Sequence, residues 1–134
     1  MEIENKITKL EKEAIRVQSI YKFVKSDLAD RVRRAEIIET EKPFYINVPI
    51  KDVYDIDSDE MILVQGIIDL YFIDSDNKLV LVDYKTDYVE NEEDLIEKYS
   101  IQLELYKRAL EESLEREVDR VYIFSTCLGK EIML

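Results

Sequence analysis

Two apolar stretches joined by a short polar turn most constrain what this chain can fold into. Residues 61–73 and 78–84 are rich in β-branched and aromatic side chains, and Asp74-Ser75-Asp76-Asn77 between them is typical of a tight reversal. An alternating stretch at 43–50 precedes them, separated by the acidic run 57–60. The pattern predicts an antiparallel meander of three strands, in which Pro49 places the first strand at an edge.

A long helix and a further strand are predicted after the meander. Asn91 can cap the helix, and acidic residues fill its first turn, where the helix dipole favours them. We expect the helix to end near Arg116 and a strand to follow at 118–126, with Gly129 opening a short final segment. Its expected inner face carries Leu95, Tyr99, Gln102, Tyr106, Leu110 and Leu114. A strand–helix–strand connection predicts a parallel strand pair with a right-handed crossover.

The first third of the chain is predicted to be helical. Ser26 is a good N-cap and divides the segment into two helices. Apolar residues recur there at spacings of four and three: Ile3, Ile7, Leu10, Ala14, Val17, Tyr21, Val24 and Leu28. The stripe fits a coiled-coil seam, but we favour a helix that packs on its own sheet or on a neighbouring domain. The expected fold class is therefore α/β, with a mixed sheet and helices packed on it.

Composition narrows the classes of function. The chain has 134 residues, 46 % of them apolar, so it can form a folded core. It has no histidine, which excludes catalytic triads and His-ligated zinc. The lone Cys127, with no signal or membrane-spanning segment, favours a cytoplasmic protein and a buried inert thiol. The net charge of −12 is unusual for a protein that grips DNA with its own surface.

Two aspartates stand out in the predicted strands. Strand alternation puts Val64, Gly66, Ile68, Leu70 and Phe72 on one face, and Gln65, Ile67, Asp69 and Tyr71 on the other. Asp83 and Lys85 share a face at the end of the third strand. A hairpin centred on residue 76 brings Asp69 close to Asp83. Two converging carboxylates suit Mg²⁺ or Mn²⁺, and an adjacent lysine can stabilise charge at phosphorus; the alternative is a surface salt bridge between Asp83 and Lys85.

The predicted helix adds two polar residues on its apolar face. Gln102 and Tyr106 are four residues apart, so both should point towards the sheet. Gln102 is either a buried amide with satisfied hydrogen bonds or a residue that positions phosphate or water beside the carboxylates. Tyr106 is either a core residue or part of the same site, and Gln65 and Thr86 are further candidates for positioning DNA or phosphate.

These motifs resemble those of a known family. Gly66-Ile67-Ile68-Asp69, Asp83-Tyr84-Lys85-Thr86 and Gln102 followed by Tyr106 are similar, in this order, to the G-x-x-D, D-Y-K-T and Q-x-x-x-Y motifs of RecB-like PD-(D/E)XK nucleases. Within that branch the residues from Phe23 onwards look most like the C-terminal nuclease domain of AddA, the larger component of the AddAB helicase–nucleases.

The resemblance implies a restriction-endonuclease-like core and a magnesium-dependent DNA nuclease of exonuclease type. Asp69, Asp83 and the Tyr84 carbonyl would hold Mg²⁺ or Mn²⁺, and Lys85 with Gln102 would assist hydrolysis. The implied partners are DNA, as a single strand delivered by a helicase, together with an AddB-type protein and the rest of the helicase chain. Residues 1–134 would form one nuclease domain, with a helical segment at 1–34 and a catalytic core at 43–134, excised from a larger double-strand-break repair enzyme.

One departure from the family and two other functional classes bear on this reading. Many RecB-like nucleases carry a histidine on a helix before the core, and its absence implies either a helix upstream of this sequence or weaker metal binding. A non-catalytic interaction module with the nuclease fold would explain the acidic charge. A helical oligomerisation protein would use the apolar stripe but leave the aspartates in apolar strands unexplained.

Overall fold

A five-stranded mixed sheet is the centre of the fold in the computed structural model, which describes residues 23–134. Its neighbouring strands follow chain order, and all adjacent pairs are antiparallel except β3 and β4, which are parallel. The strands are β1 (Ile37–Pro49), β2 (Met61–Ile73), β3 (Leu79–Lys85), β4 (Arg120–Ser125) and β5 (Lys130–Met133). The described helices are α1 (Asp27–Arg33), α2 (Glu92–Leu114) and a 3-10 turn, Ile50–Asp52. The predicted fold class is confirmed.

Capping residues set the ends of both α-helices. Asn91 accepts a hydrogen bond from the Asp94 amide at 3.0 Å and begins α2 as predicted. The helix ends two residues before the expected Arg116, because Glu115 adopts a left-handed conformation with a φ of 53°. Ser26 accepts from the Ala29 amide at 3.1 Å and begins α1, which confirms the predicted break. The crossover through α2 joins the predicted parallel pair.

The two α-helices cover opposite faces of the sheet. The larger core lies under α2 and contains Leu95, Leu103 and Leu110 of the helix. The smaller core lies under α1 and consists of Leu28, Leu70, Phe72, Val80, Val82 and Phe124. β3 is apolar on both faces and is buried from Leu79 to Val82 because it contributes to both cores. Burial on both faces is what gives a central strand a continuous apolar sequence.

The N-terminal apolar stripe is only partly described. Leu28 is buried in the core under α1, whereas Val24 is 46 % exposed, so the stripe does not continue as one seam through these two positions. The earlier positions, from Ile3 to Tyr21, lie outside the described residues. No helix in the described range is long and apolar enough to cross a membrane.

β1 begins earlier than the sequence pattern predicts. The alternation at Phe44, Ile46 and Val48 is observed, but the strand starts at Ile37. Residues 37–43 are all exposed, so they carry no alternation that would reveal a strand. Pairing with β2 extends the strand there, and its position at the edge of the sheet agrees with the expectation from Pro49.

The β1–β2 ladder changes face at one level, and this corrects the predicted arrangement of β2. Ile68 packs in the core under α2, whereas Leu70, two residues later, packs in the core under α1. Regular alternation would have put both on the same face. The pairing is interrupted between Lys42–Ile68 and Thr40–Leu70, where Glu41 has a φ of 52° and stands opposite Asp69. An irregularity of this kind redirects side chains on both strands.

Replacement of Glu41 by glycine should stabilise the fold. A left-handed conformation is unfavourable for an L-residue, and glycine removes that strain. We expect a gain of roughly 0.5–1 kcal/mol in the free energy of unfolding, measured by urea denaturation, after the greater entropy of glycine in the unfolded chain is included. Glu39→Gly, in regular pairing on the same strand, should instead lose about the same amount. Equal destabilisation by both substitutions would contradict the strain at Glu41.

Candidate active site

Asp69 and Asp83 meet where the pairing of β2 with β3 ends. The last recorded pair is Leu70 with Val82, so the same register carried one residue further sets Asp69 opposite Asp83. This is the register expected from a hairpin centred on residue 76. The turn itself is fixed by Asp74, whose Oδ1 accepts hydrogen bonds from the amides of Asp76 and Lys78, each at 2.9 Å. The turn therefore sets which residues meet at the far end of the hairpin.

The carboxylate of Asp83 is buried beside the ammonium of Lys85. Asp83 is 3 % exposed, and its Oδ2 lies 2.9 Å from Lys85 Nζ. Both residues follow the apolar run of β3 and face α2, as the alternation with Leu79 and Leu81 requires. The surface salt bridge considered from the sequence is therefore excluded, because this ion pair is almost fully enclosed.

Burial leaves the Asp83 carboxylate incompletely satisfied. Among the buried side-chain polar atoms of residues 23–134, Asp83 Oδ2 is the one without a directed hydrogen bond; its contact with Lys85 is electrostatic in character. Burial raises the pKa of Asp83 to about 6, and the neighbouring Asp69 adds to the rise while Lys85 opposes it. The fold thus keeps an acid where its charged form is disfavoured.

Asp69 is fixed by the backbone of the strand that carries Asp83. Its Oδ2 accepts a hydrogen bond from the Tyr84 amide at 2.8 Å. The Tyr84 ring lies on the α1 side, edge-on to Phe23 with ring centroids 5.2 Å apart, so this residue contributes its backbone to the site. Burial, with the charge of Asp69, raises the pKa of the Tyr84 hydroxyl to about 12.

Gln102 of α2 completes the surroundings of the lysine. Its Oε1 accepts a hydrogen bond from Lys85 Nζ at 3.0 Å. The structure thus combines the two readings of this residue, since the amide is satisfied and its partner is the lysine of the carboxylate cluster. Gln102 is held in place by α2, whose neighbouring Leu103 is buried in the core.

Tyr106 is a packing residue at the margin of the cluster. Its ring meets Phe44 with centroids 4.8 Å apart, and burial together with the charge of Asp83 raises the pKa of its hydroxyl. Gly66 makes room for this contact: a Cβ there would lie 2.9 Å from Phe44 Cε1 and 3.3 Å from the Tyr106 hydroxyl oxygen. The glycine of the first motif therefore serves close packing between β2 and α2.

Gln65 and Thr86 do not join the hydrogen-bonded cluster. Gln65 pairs with Tyr45 and is exposed on the sheet face that points away from α2, before the change of face at Asp69. Thr86 is exposed immediately after β3 ends. Alternation alone had grouped Gln65 with Asp69, and the irregularity at Asp69 separates them.

Two further residues belong to the cluster that the motifs did not single out. Lys85 Nζ lies 4.0 Å from the centroid of the Tyr99 ring, and the Tyr99 hydroxyl bonds to both carboxylate oxygens of Asp87. The available signals were the position of Tyr99 one helical turn before Gln102 and that of Asp87 two residues after Lys85. Neither spacing reveals that the ring lies against the ammonium.

The donors present fit a hard divalent cation. Asp69 and Asp83 offer carboxylate oxygens, one of them lacking a directed hydrogen bond, and the Tyr84 carbonyl lies in the same stretch of backbone. No group of three or more Asp, Glu, Cys or His side chains able to hold a metal occurs among residues 23–134. A two-carboxylate set suits Mg²⁺, which keeps several waters and takes phosphate oxygens as further ligands.

Sequence comparison defines the class of protein to which this arrangement belongs. The family model described as the PD-(D/E)XK nuclease superfamily matches residues 3–131. The chain therefore belongs to the PD-(D/E)XK nuclease superfamily, and members of this superfamily generally use divalent metal ions.

Curated relatives place the chain more closely. They are AddA proteins, the larger chains of ATP-dependent helicase/nucleases. The chain is 38 % identical over 123 residues to the AddA of Clostridium kluyveri, 37 % identical over 134 residues to that of Clostridium acetobutylicum, and 31 % identical over 133 residues to that of Oceanobacillus iheyensis. The alignments cover 88 %, 96 % and 92 % of this chain but only 10–11 % of those proteins. The predicted resemblance to AddA-type nuclease sequences is confirmed, and the chain spans about a tenth of the length of these relatives.

Asp83→Asn should stabilise the metal-free fold at neutral pH. Because the pKa of Asp83 is about 6 in the folded state and near 3.8 when unperturbed, the native state is penalised above pH 6, and the penalty disappears below about pH 4. We expect the variant to exceed wild type by roughly 1–2 kcal/mol in free energy of unfolding at pH 7.5, with a smaller difference at pH 5.

The measurement is urea denaturation at both pH values in the presence of a chelator. Asp57→Asn, at an exposed loop position, is the matched control and should show no such pH-dependent gain. A variant at Asp83 that is less stable than wild type at pH 7.5 would contradict the unfavourable burial of this carboxylate.

Proposed function

We propose that this chain is a divalent-metal-dependent deoxyribonuclease domain. The observation that carries the proposal is the buried Asp83 carboxylate, which lies beside Asp69 and has one oxygen without a directed hydrogen bond. A structural ion pair with Lys85 requires no second carboxylate and gains nothing from one. Acids with perturbed pKa values in such surroundings are concentrated at functional sites.

The residues of the cluster have separable roles in this proposal. Asp69, Asp83 and the Tyr84 carbonyl hold Mg²⁺ or Mn²⁺, which when bound polarises the phosphate and lowers the pKa of water. Lys85, restrained by Gln102, places a positive charge where the phosphorane-like transition state accumulates negative charge. Water adds to phosphorus and the P–O3′ bond breaks, which leaves a 5′-phosphate on one product and a 3′-hydroxyl on the other.

The acidic charge of the chain places the DNA-binding surface elsewhere. With a net charge of −12, the chain is unsuited to hold the DNA backbone by itself. The similarity to helicase/nuclease proteins supports a source for that grip. We propose that residues 1–134 form the exonuclease domain of a bacterial double-strand-break repair helicase–nuclease, with an AddB-type partner protein, and that its helicase delivers a single strand to the site.

A non-catalytic module with the nuclease fold is the second candidate, and the charge of −12 favours it. Such a module has no need for Lys85 at 2.9 Å from a buried acid and 3.0 Å from Gln102. Metal binding without cleavage of single-stranded DNA would identify this second function.

Metal binding should depend on Asp69. In calorimetric titrations with MgCl₂ and MnCl₂, wild type should bind and Asp69→Ala should not, because one carboxylate of the pair is lost. Asp76→Ala removes an exposed turn aspartate outside the cluster and should bind like wild type. Absence of binding in wild type with either cation would contradict the proposed metal site.

Cleavage should depend on Asp83 and Lys85. With single-stranded DNA and Mg²⁺, Asp83→Ala should abolish cleavage while circular dichroism shows an intact fold. Lys85→Gln should lower kcat by roughly 10²–10³-fold, the range expected when one group that stabilises transition-state charge is removed. Lys78→Gln, at an exposed position preceding β3, serves as the control. Unchanged cleavage in Asp83→Ala would exclude the assigned site.

A further inference from the structure

The ammonium of Lys85 is held on a third side by an aromatic ring. Besides Asp83 and Gln102, it contacts the face of Tyr99, with Nζ 4.0 Å from the ring centroid. The Lys85 side chain is only 15 % exposed, so little water competes for the ammonium. Cation–π attraction operates within about 6 Å and strengthens when the cation is desolvated. The ring therefore restrains the ammonium in a direction that neither oxygen partner covers.

The Tyr99 ring is itself fixed by a carboxylate. Its hydroxyl lies 3.0 and 2.8 Å from the two oxygens of Asp87. Asp87 also accepts a hydrogen bond from Lys98 at 2.6 Å, and the hydrogen bonds from Lys98 and Tyr99 hold the pKa of this carboxyl below its usual range. An ionised carboxylate only accepts hydrogen bonds, so Tyr99 must be the donor. The direction of this bond sets the position of the ring edge.

These contacts join the segment after β3 to α2 at the lysine. Asp87 follows Lys85 by two residues, and Tyr99 precedes Gln102 by one helical turn. Lys85 is thus bracketed along the helix by Gln102 and Tyr99, and Tyr99 is bonded back to the segment that carries Lys85. The resulting loop of contacts closes on the ammonium.

We propose that Tyr99 and Asp87 are positioning residues for Lys85. Asp87 anchors the hydroxyl of Tyr99, and the anchored ring keeps the Lys85 ammonium at the reacting phosphate. The inference rests on the proposed nuclease function for its catalytic consequence, whereas the placement of Lys85 is testable without any cleavage. The competing explanation is that Tyr99 only fills space in the core under α2.

Substitutions at Tyr99 separate these explanations. Tyr99→Leu keeps an apolar side chain but removes the ring, and Tyr99→Phe keeps the ring but removes its anchor. Asp87→Asn weakens the same anchor from the other side. Tyr88→Leu is the control, because Tyr88 is adjacent to Asp87 in sequence and 87 % exposed.

The first readout is the NMR signal of the lysine ε-methylene protons in the intact chain with 13C-labelled lysine. A ring face against the ammonium shifts the Lys85 signal upfield, and Lys85→Gln assigns it, which is needed because Lys98 Nζ lies 5.2 Å from the same ring. We expect Tyr99→Leu to return the Lys85 signal to the range of exposed lysines. Tyr99→Phe and Asp87→Asn should give intermediate and similar shifts, and Tyr88→Leu should give none. An unmoved Lys85 signal in Tyr99→Leu would overturn the inference.

The second readout is the division between kcat and KM on single-stranded DNA. A positioning role predicts a roughly tenfold lower kcat for Tyr99→Leu with KM unchanged. Tyr99→Phe and Asp87→Asn should each cost less, and their double variant no more than either alone, because both break one contact. Wild-type kcat in Tyr99→Leu would overturn the positioning role.

The two readouts keep the proposals distinct. If wild type binds metal and cleaves no DNA while the Lys85 signal responds to Tyr99→Leu, the proposed function fails and the placement of the lysine by Tyr99 stands. If wild type cleaves DNA while the signal does not respond, the function stands and the positioning inference fails.

Discussion

Burial of one carboxylate is the constraint on which the rest of the structure depends. Asp83 is placed where its ionised form is disfavoured, at the end of an apolar strand and beside a second acid. Each neighbouring feature reduces that penalty or exploits it: Lys85 supplies charge, the Tyr84 amide holds Asp69, and Gln102 restrains the lysine. Such an arrangement destabilises the empty fold and is maintained because a bound cation offsets it.

The change of face in the β1–β2 ladder explains how one strand serves two purposes. Before it, Val64 and Ile68 pack under α2, and after it, Leu70 and Phe72 pack under α1. Asp69 occupies the level of the change, opposite Glu41 in its left-handed conformation. Side chains at such irregularities escape strict alternation, which lets a carboxylate in an apolar strand turn towards Asp83 without displacing a core residue.

Much of the fold and part of the site follow from the sequence. β2 and the Asn91 cap were predicted at their observed positions, because apolar alternation and capping chemistry are local signals. The pairing of Asp69 with Asp83 followed from a turn whose length is fixed by its polar residues. Glu41 gave no warning of its left-handed φ, since glutamate is not a residue associated with that conformation. The contact of Tyr99 with Lys85 depends on side-chain packing that spacing does not encode.

The helix α2 has a consequence for how the site can fail. Its residues Tyr99 and Gln102 hold the lysine, while the strands hold the two aspartates, so the cluster exists only while helix and sheet are docked. Leu103 and Leu110, which dock the helix, are among the most enclosed side chains of the larger core. Local opening that lifts α2 would dismantle the lysine's cradle before the aspartates separate. Loss of chemistry and loss of amide protection along α2 therefore belong to a single cooperative event.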